Sequence, residues 1–236
     1  MSRLFKEAFQ YKETRCTIIA DKEQAIRTAI ESIKRNRKEL EDYVKGNPKF
    51  LYTLKPVAVP AEPLVARLMA EAAEKANVGP MAAVAGVLAD LAVKDMLADG
   101  CSVAVVENGG EVSALSGRPV DVALAAGDAP LSKKFGFRLA DFPVGLATSS
   151  GRFSHALSFG DAEAATVFCR TAGLADAAAT AVGNVVKGED CQGAVQRGID
   201  EALSIQGVEG VLIMYREFTG TWGKIPQIIK VDSSIV

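Results

Sequence analysis

The stretch Thr171-Ala172-Gly173-Leu174-Ala175-Asp176-Ala177-Ala178-Ala179-Thr180 opens a helix in which almost every side chain is a methyl group or smaller. Asp176 and Thr180 stand out. A spacing of four residues puts both oxygens on one helix face, and the alanines around them let another backbone or a ligand come close. A carboxylate and a hydroxyl are hard oxygen ligands suited to Mg²⁺ or Ca²⁺, with water or phosphate oxygens filling the shell. The same residues have a plainer reading. Asp176 then complements the dipole at the helix N-terminus, and Thr180 bonds back to a carbonyl.

Working outward, the period of the apolar residues sorts the chain into elements. Thr14 to Ala20 reads as a strand, and Asp21 caps the helix that follows, with Gln24 at capping-box spacing. Ile26, Ile30, Ile33, Leu40 and Val44 form its apolar stripe; Lys34, Arg35, Arg37 and Lys38 form a solvated face. Further helices are expected over 62–76, 81–98, 172–187 and 191–205. The helix over 81–98 is apolar nearly all round and should be buried. Strands are expected over 101–107, 111–116, 120–126, 144–149, 155–159, 165–169, 211–218 and 227–231, with Asn108-Gly109-Gly110 as a hairpin turn. Leu131 to Asp141 reads as irregular. Helices and strands come in runs rather than in alternation, so the fold class is α+β in a single domain over residues 1–236. A small-residue helix, a Gly break and a strand recur over about 80–110 and 173–220, the pattern of an internal duplication.

Composition narrows the function classes. The 236 residues are 49% hydrophobic and 24% charged, with 27 Lys and Arg against 29 Asp and Glu. A formal net charge of -2 offers no field for a polyanion, so nucleic acid is not an expected partner. No segment reaches the roughly 20 apolar residues that a bilayer crossing needs, and Met1-Ser2-Arg3-Leu4-Phe5-Lys6 has no apolar leader core. The expected compartment is the cytoplasm. Cys16, Cys101, Cys169 and Cys191 are scattered singly, which suits small buried hydrophobes in a reducing environment rather than a zinc set.

Three more segments carry candidate chemistry. Ala147-Thr148-Ser149-Ser150-Gly151-Arg152-Phe153-Ser154-His155 gathers hydroxyls, a glycine, a cation and the only histidine within nine positions. Ser149, Ser150 and Gly151 could cradle a phosphate, and His155 could act as proton donor or base; a polar hairpin is the alternative. No Gly-x-Ser-x-Gly elbow is present. Gly109-Gly110-Glu111 serves either close ligand approach or a tight turn. Gly79 to Gly86 is a small-residue helix start around Met81, Ala82 and Ala83, which either offers free N–H groups to an anion or simply packs closely.

Taken together and in this order, the four segments resemble the ApbE superfamily of flavin transferases. Ala175-Asp176-Ala177-Ala178-Ala179-Thr180 matches its Ala-Asp-Ala-x-x-Thr helix start, Ser150-Gly151 with Ser154-His155 its Ser-Gly and Ser-His, and Gly109-Gly110-Glu111 its Gly-Gly-Asp/Glu. The likeness spans about residues 78 to 185, and the short chain looks most like the uncharacterised ApbE-like family of archaea and anaerobic bacteria. The resemblance implies an ApbE-like, internally duplicated α+β fold. It implies Mg²⁺ on Asp176 and Thr180 with a carbonyl from Met81–Ala83, and FAD with its pyrophosphate at that metal. It also implies FMN transfer to a hydroxyl of a target protein, with His155 assisting proton movement. A homodimer and an accessory role in sulfide or homocysteine metabolism come from the same likeness. Two motifs depart: Ala85-Gly86 replaces a Lys-Gly, and Ala156-Leu157-Ser158 follows His155 in place of Asp-Pro-x-Thr-Gly. The expectation is a divergent member that keeps a pocket for a small anionic ligand or flavin nucleotide, with transferase or FAD pyrophosphate-cleaving activity as the alternative.

Overall fold

Alternation of side chains across two covered faces places the sheet at the centre of the molecule. In the computed structural model, which describes residues 3–123, 135–150 and 160–231, the strands are β1 (Phe5–Tyr11), β2 (Thr14–Ala20), β3 (Val103–Asn108), β4 (Glu111–Ser116), β5 (Val120–Ala123), β6 (Phe135–Leu139), β7 (Val144–Ser149), β8 (Ala164–Cys169), β9 (Val208–Tyr215), β10 (Phe218–Gly223) and β11 (Gln227–Lys230). Eight of them form an antiparallel sheet in the order β1-β2-β3-β4-β7-β8-β9-β10, and β11-β6-β5 form a second, smaller one. Val105, Val112, Val144, Leu146 and Phe168 on one face of the large sheet pack on Phe137, Leu139, Val120 and Val122 of the small one. Phe137 and Phe168 meet edge to face with centroids 5.0 Å apart.

The opposite face carries the helices: α1 (Glu23–Gly46), α2 (Pro48–Tyr52), α3 (Leu64–Ala76), α4 (Val84–Ala98), α5 (Ala172–Val185) and α6 (Cys191–Ser204). Ile18, Ala104 and Val106 take α1 and α4; Ala147, Ala165, Val167 and Ile213 take α5 and its neighbours. Helix α4 is apolar over most of its surface because α1, α5 and the strands β3 and β4 pack against it, while Lys94 and Ala98 stay exposed. Among the described residues, no single helix is long and apolar enough to cross a membrane. All four cysteines are buried and unpaired, and burial pushes the Cys16 and Cys169 thiols up to about 12, which makes them unreactive.

Mixed helix and antiparallel sheet confirm the α+β class, and several local expectations change. Asp21 does not cap α1. Its carboxylate instead accepts from the amides of Ser102 and Val103 and from the Ser102 hydroxyl, pinning the start of β3. The helix expected from Met81 begins as a 3₁₀ turn, Pro80–Ala83, before α4 proper. Leu131 to Asp141 contains strand β6, whose Gly136 lies so close to the Val122 carbonyl that a Cβ would sit 2.1 Å from it. Strands β1 and β10 and the short α2 were not expected. The strand expected over 155–159 lies outside the described residues.

Candidate functional site

Helices α4 and α5 cross where their first turns meet, and two glycines make the crossing possible. A Cβ on Gly86 would lie 2.2 Å from the Ala172 carbonyl oxygen, and one on Gly173 would lie 2.5 Å from Val87 Cγ2. The residues preceding the helices, Ala83 and Thr171, give no side-chain cap, so the first N–H groups need other acceptors. Each helix supplies the other's. From α4, Asp90 Oδ1 accepts from Ala172 N at 2.9 Å, and its Oδ2 accepts from Gly173 N at 2.9 Å. From α5, Asp176 Oδ2 accepts from Gly86 N at 3.0 Å.

Strands β3 and β4 complete the surroundings. The Ser113 hydroxyl donates to Asp90 Oδ1 at 2.7 Å, and Asn108 Nδ2 donates to the Ala85 carbonyl at 3.0 Å. Gly109 and Gly110 link the strands with φ of 72° and 116°, a turn open to glycine at no steric cost. Half-buried Glu107 anchors it, its Oε1 accepting from Gly110 N at 2.8 Å. The glycine pair thus forms the tight turn between β3 and β4, which leads into Glu111 at the start of β4.

Electrostatics singles out Asp176 and Glu111. Desolvation pushes the Asp176 carboxyl up to about 7, against the amides of Gly86 and Ala85, and the charge of Asp90 adds to the rise. Burial raises Glu111 well above the usual carboxylate range, and the nearby charges of Asp176 and Glu107 raise it further. Among the described residues, the charges that act on these two groups are all negative. Burial also raises Asp90, although its three donors oppose the rise.

The other expected site residues fall around this pair. Thr180 lies one turn beyond Asp176, half-buried, and its hydroxyl makes no hydrogen bond among the described residues. The Pro80–Ala83 turn, with Met81, Ala82 and Ala83, packs against α5. Ser149, at the end of β7, sits beside Gly183, where a Cβ would come within 2.9 Å of its Oγ. Ser150 next to it is buried. Gly151 and His155 lie outside the described residues. Reading the sequence missed Asp90 and Ser113, and singled out Asn108 only as part of the glycine turn. The signal for Asp90 was present, as the only carboxylate in the otherwise apolar run from Met81 to Val93.

A family model described as AbpE bacteria matches residues 3–207. The chain belongs to the AbpE family. Relatives of similar length include a UPF0280 protein of Methanosarcina acetivorans, 40% identical over 231 residues, covering 96% of this chain and 90% of the relative. Another, from Methanococcus vannielii, is 37% identical over 234 residues, covering 97% and 94%. The fold is shared with the flavin transferase ApbE from Vibrio cholerae, at TM-score 0.61 and 15% identity over 94% of this chain and 97% of that one. It is shared too with the ApbE protein of Thermotoga maritima, at TM-score 0.63 and 13% identity over 98% of each chain. The chain thus belongs to the AbpE family by sequence and shares its architecture with the ApbE structures.

Proposed function

We propose that the protein binds a divalent cation at Asp176 and Thr180 and, through it, the phosphates of a flavin nucleotide. One observation carries this reading: among the described residues, two desolvated carboxylates, Asp176 and Glu111, have only negative charge acting on them, and Thr180, one turn beyond Asp176, makes no hydrogen bond through its hydroxyl. Such a group of oxygens is completed by a cation. Among the described residues, no three Asp, Glu, His or Cys side chains form a metal cluster. That fits Mg²⁺, which takes one or two protein oxygens and leaves the rest of its shell to water and phosphate. Asp176, Thr180 and a main-chain carbonyl of Met81–Ala83 would hold it, with Glu111 adding negative charge. When bound, the cation supplies charge neutralisation at a pyrophosphate.

The choice of a flavin nucleotide rests on the likeness to proteins named flavin transferases. Ala85 in place of a lysine, and the absence of Asp-Pro-x-Thr-Gly after His155, favour binding over group transfer. The buried, unpaired thiols suit a reducing compartment, in keeping with a cytoplasmic protein. Calorimetric titration of FAD, FMN and ADP, with Mg²⁺ and with EDTA, tests the reading on the wild type and on Asp176→Asn. The expected result is Mg²⁺-dependent FAD binding that the substitution abolishes. Absence of nucleotide binding under every condition overturns it.

A further inference from the structure

We propose that Asp90, which the cation-binding reading leaves unused, is the positioning residue that sets Asp176 and Thr180 in place. The proposal rests on that reading for its ligand and on geometry for everything else. Asp90 sits on α4, accepts from the first two amides of α5 and accepts from Ser113 of β4. These are the three elements on which the candidate site is built: α4 follows directly on the Met81–Ala83 turn, α5 carries Asp176 and Thr180, and β4 carries Glu111 two residues before Ser113. Side chains two apart on a strand share a face. Asp90 therefore joins three site-bearing elements at one carboxylate.

Among the described residues, Asp90 is the side chain that accepts from the first amides of α5, whose N-cap Thr171 provides no side-chain bond. Gly173, whose amide donates to Asp90 Oδ2, is only three residues before Asp176, less than one helical turn. The Gly86–Gly173 crossing brings backbone against backbone, so a shift of the α5 start is passed to α4 rather than absorbed by side chains. The bond from Gly86 N to Asp176 Oδ2 closes the loop. Asp90 itself contacts no ligand in this account; it acts through the position of Asp176.

The test uses Asp90→Asn, which keeps shape and one acceptor oxygen but turns an amide group toward an N–H of the α5 start. Asp21→Asn is the control. Asp21 also accepts from three donors on two residues, but at the start of β3, beyond the far end of α4. Two readouts are taken on protein shown to be folded by circular dichroism. In Mg²⁺ titrations with FAD, Asp90→Asn is expected to weaken cation affinity about 10–100-fold, as loss of a ligand-orienting partner does, with Asp21→Asn unchanged. In amide hydrogen exchange without ligand, Gly86 N–H, which Asp90 does not touch, is expected to lose protection in Asp90→Asn and to keep it in Asp21→Asn. If Gly86 protection and cation affinity both match wild type, the proposal is overturned. If wild type binds no nucleotide, the exchange readout still decides it. Lost Gly86 protection then upholds the positioning role while the flavin reading fails, and retained protection overturns both.

Discussion

Asp176 lies about one turn and Asp90 nearly two turns inside its helix, and each reaches across to the other helix's first turn, yet they end in different surroundings. Asp90 accepts from Ala172, Gly173 and Ser113, so both of its oxygens are taken. Among the described residues, Asp176 meets only backbone amides of α4, has Glu111 for an electrostatic neighbour and shares its helix face with a Thr180 hydroxyl that makes no hydrogen bond. The two halves use one device, a carboxylate at a foreign helix N-terminus, which is favourable because N–H groups there carry partial positive charge. Where hydrogen-bond donors saturate the carboxylate, it is structural. Where they leave it short of positive charge, it is the place proposed above for a cation.

The comparison breaks most completely if the helices are forced apart. Gly86→Ala puts a methyl 2.2 Å from Ala172 O and 2.4 Å from Ala172 C, atoms of the backbone that cannot turn aside. The expected loss is about 3 kcal/mol or more, at the upper end for overpacking, read as a lowered urea midpoint. Gly46→Ala, with nothing within 4 Å of the added methyl, should lose nothing. Next comes Asp90→Ala, which strands two buried N–H groups and the Ser113 hydroxyl. A loss of about 3 kcal/mol is expected, whereas Asp176→Asn should cost no stability in metal-free protein at neutral pH, since it removes a desolvated carboxyl that resists ionisation, while abolishing Mg²⁺-dependent binding. Equal losses from the two substitutions would erase the distinction drawn here.

A third test is pH dependence, with opposite signs for stability and for cation affinity. In the folded chain the Asp176 carboxyl keeps its proton up to about 7; in the unfolded chain it sheds it near 3.8. Between those values the folded state binds the additional proton, so this group's contribution to stability is full below about pH 4 and is lost as pH rises to about 7. Urea midpoints of metal-free protein should fall across that window, and Asp176→Asn should flatten the fall. Mg²⁺ needs the deprotonated carboxylate, so its affinity should instead rise through about pH 7. A cation affinity independent of pH would remove Asp176 from the ligand set.

What the sequence shows of all this depends on how local each feature is. Strands β2, β4 and β7 were legible to the residue because their apolar patterns are bounded by turn residues, and the α1 stripe because it repeats at helical spacing. Edge strand β1 was not, since Lys6, Glu7, Ala8 and Gln10 all face solvent and bury nothing. Strand β10 hides similarly, and β6 is disguised by Gly136 and Arg138. At the site, Asp176 and Thr180 were readable because a spacing of four is a helical property, and Glu111 because it follows a glycine turn. Asp90 was not, because its partner Gly173 lies 83 residues away. A lone carboxylate in an apolar helix says that a partner exists, not which one.

The smallest expected effect is the one that sharpens the contrast furthest. Glu111→Gln keeps shape and removes one negative neighbour of Asp176, whose charge is among the causes holding Glu111 above its ordinary range. Like charges at a desolvated site disfavour ionisation of both, so the Asp176 carboxyl should titrate lower in the variant. Metal-free protein at alkaline pH should gain up to about 1 kcal/mol, since one buried charge no longer repels the other. With Mg²⁺ present the order should reverse, because the same substitution takes counter-charge from the cation and weakens its binding severalfold. A stabilised apo form together with a weaker cation complex is the signature of carboxylates kept close for a ligand. No substitution that merely repairs packing would move the two quantities in opposite directions. If the Asp176 titration does not shift in Glu111→Gln, Glu111 belongs to the hairpin and not to the pocket, and the unsaturated half of the comparison shrinks to Asp176 and Thr180 alone.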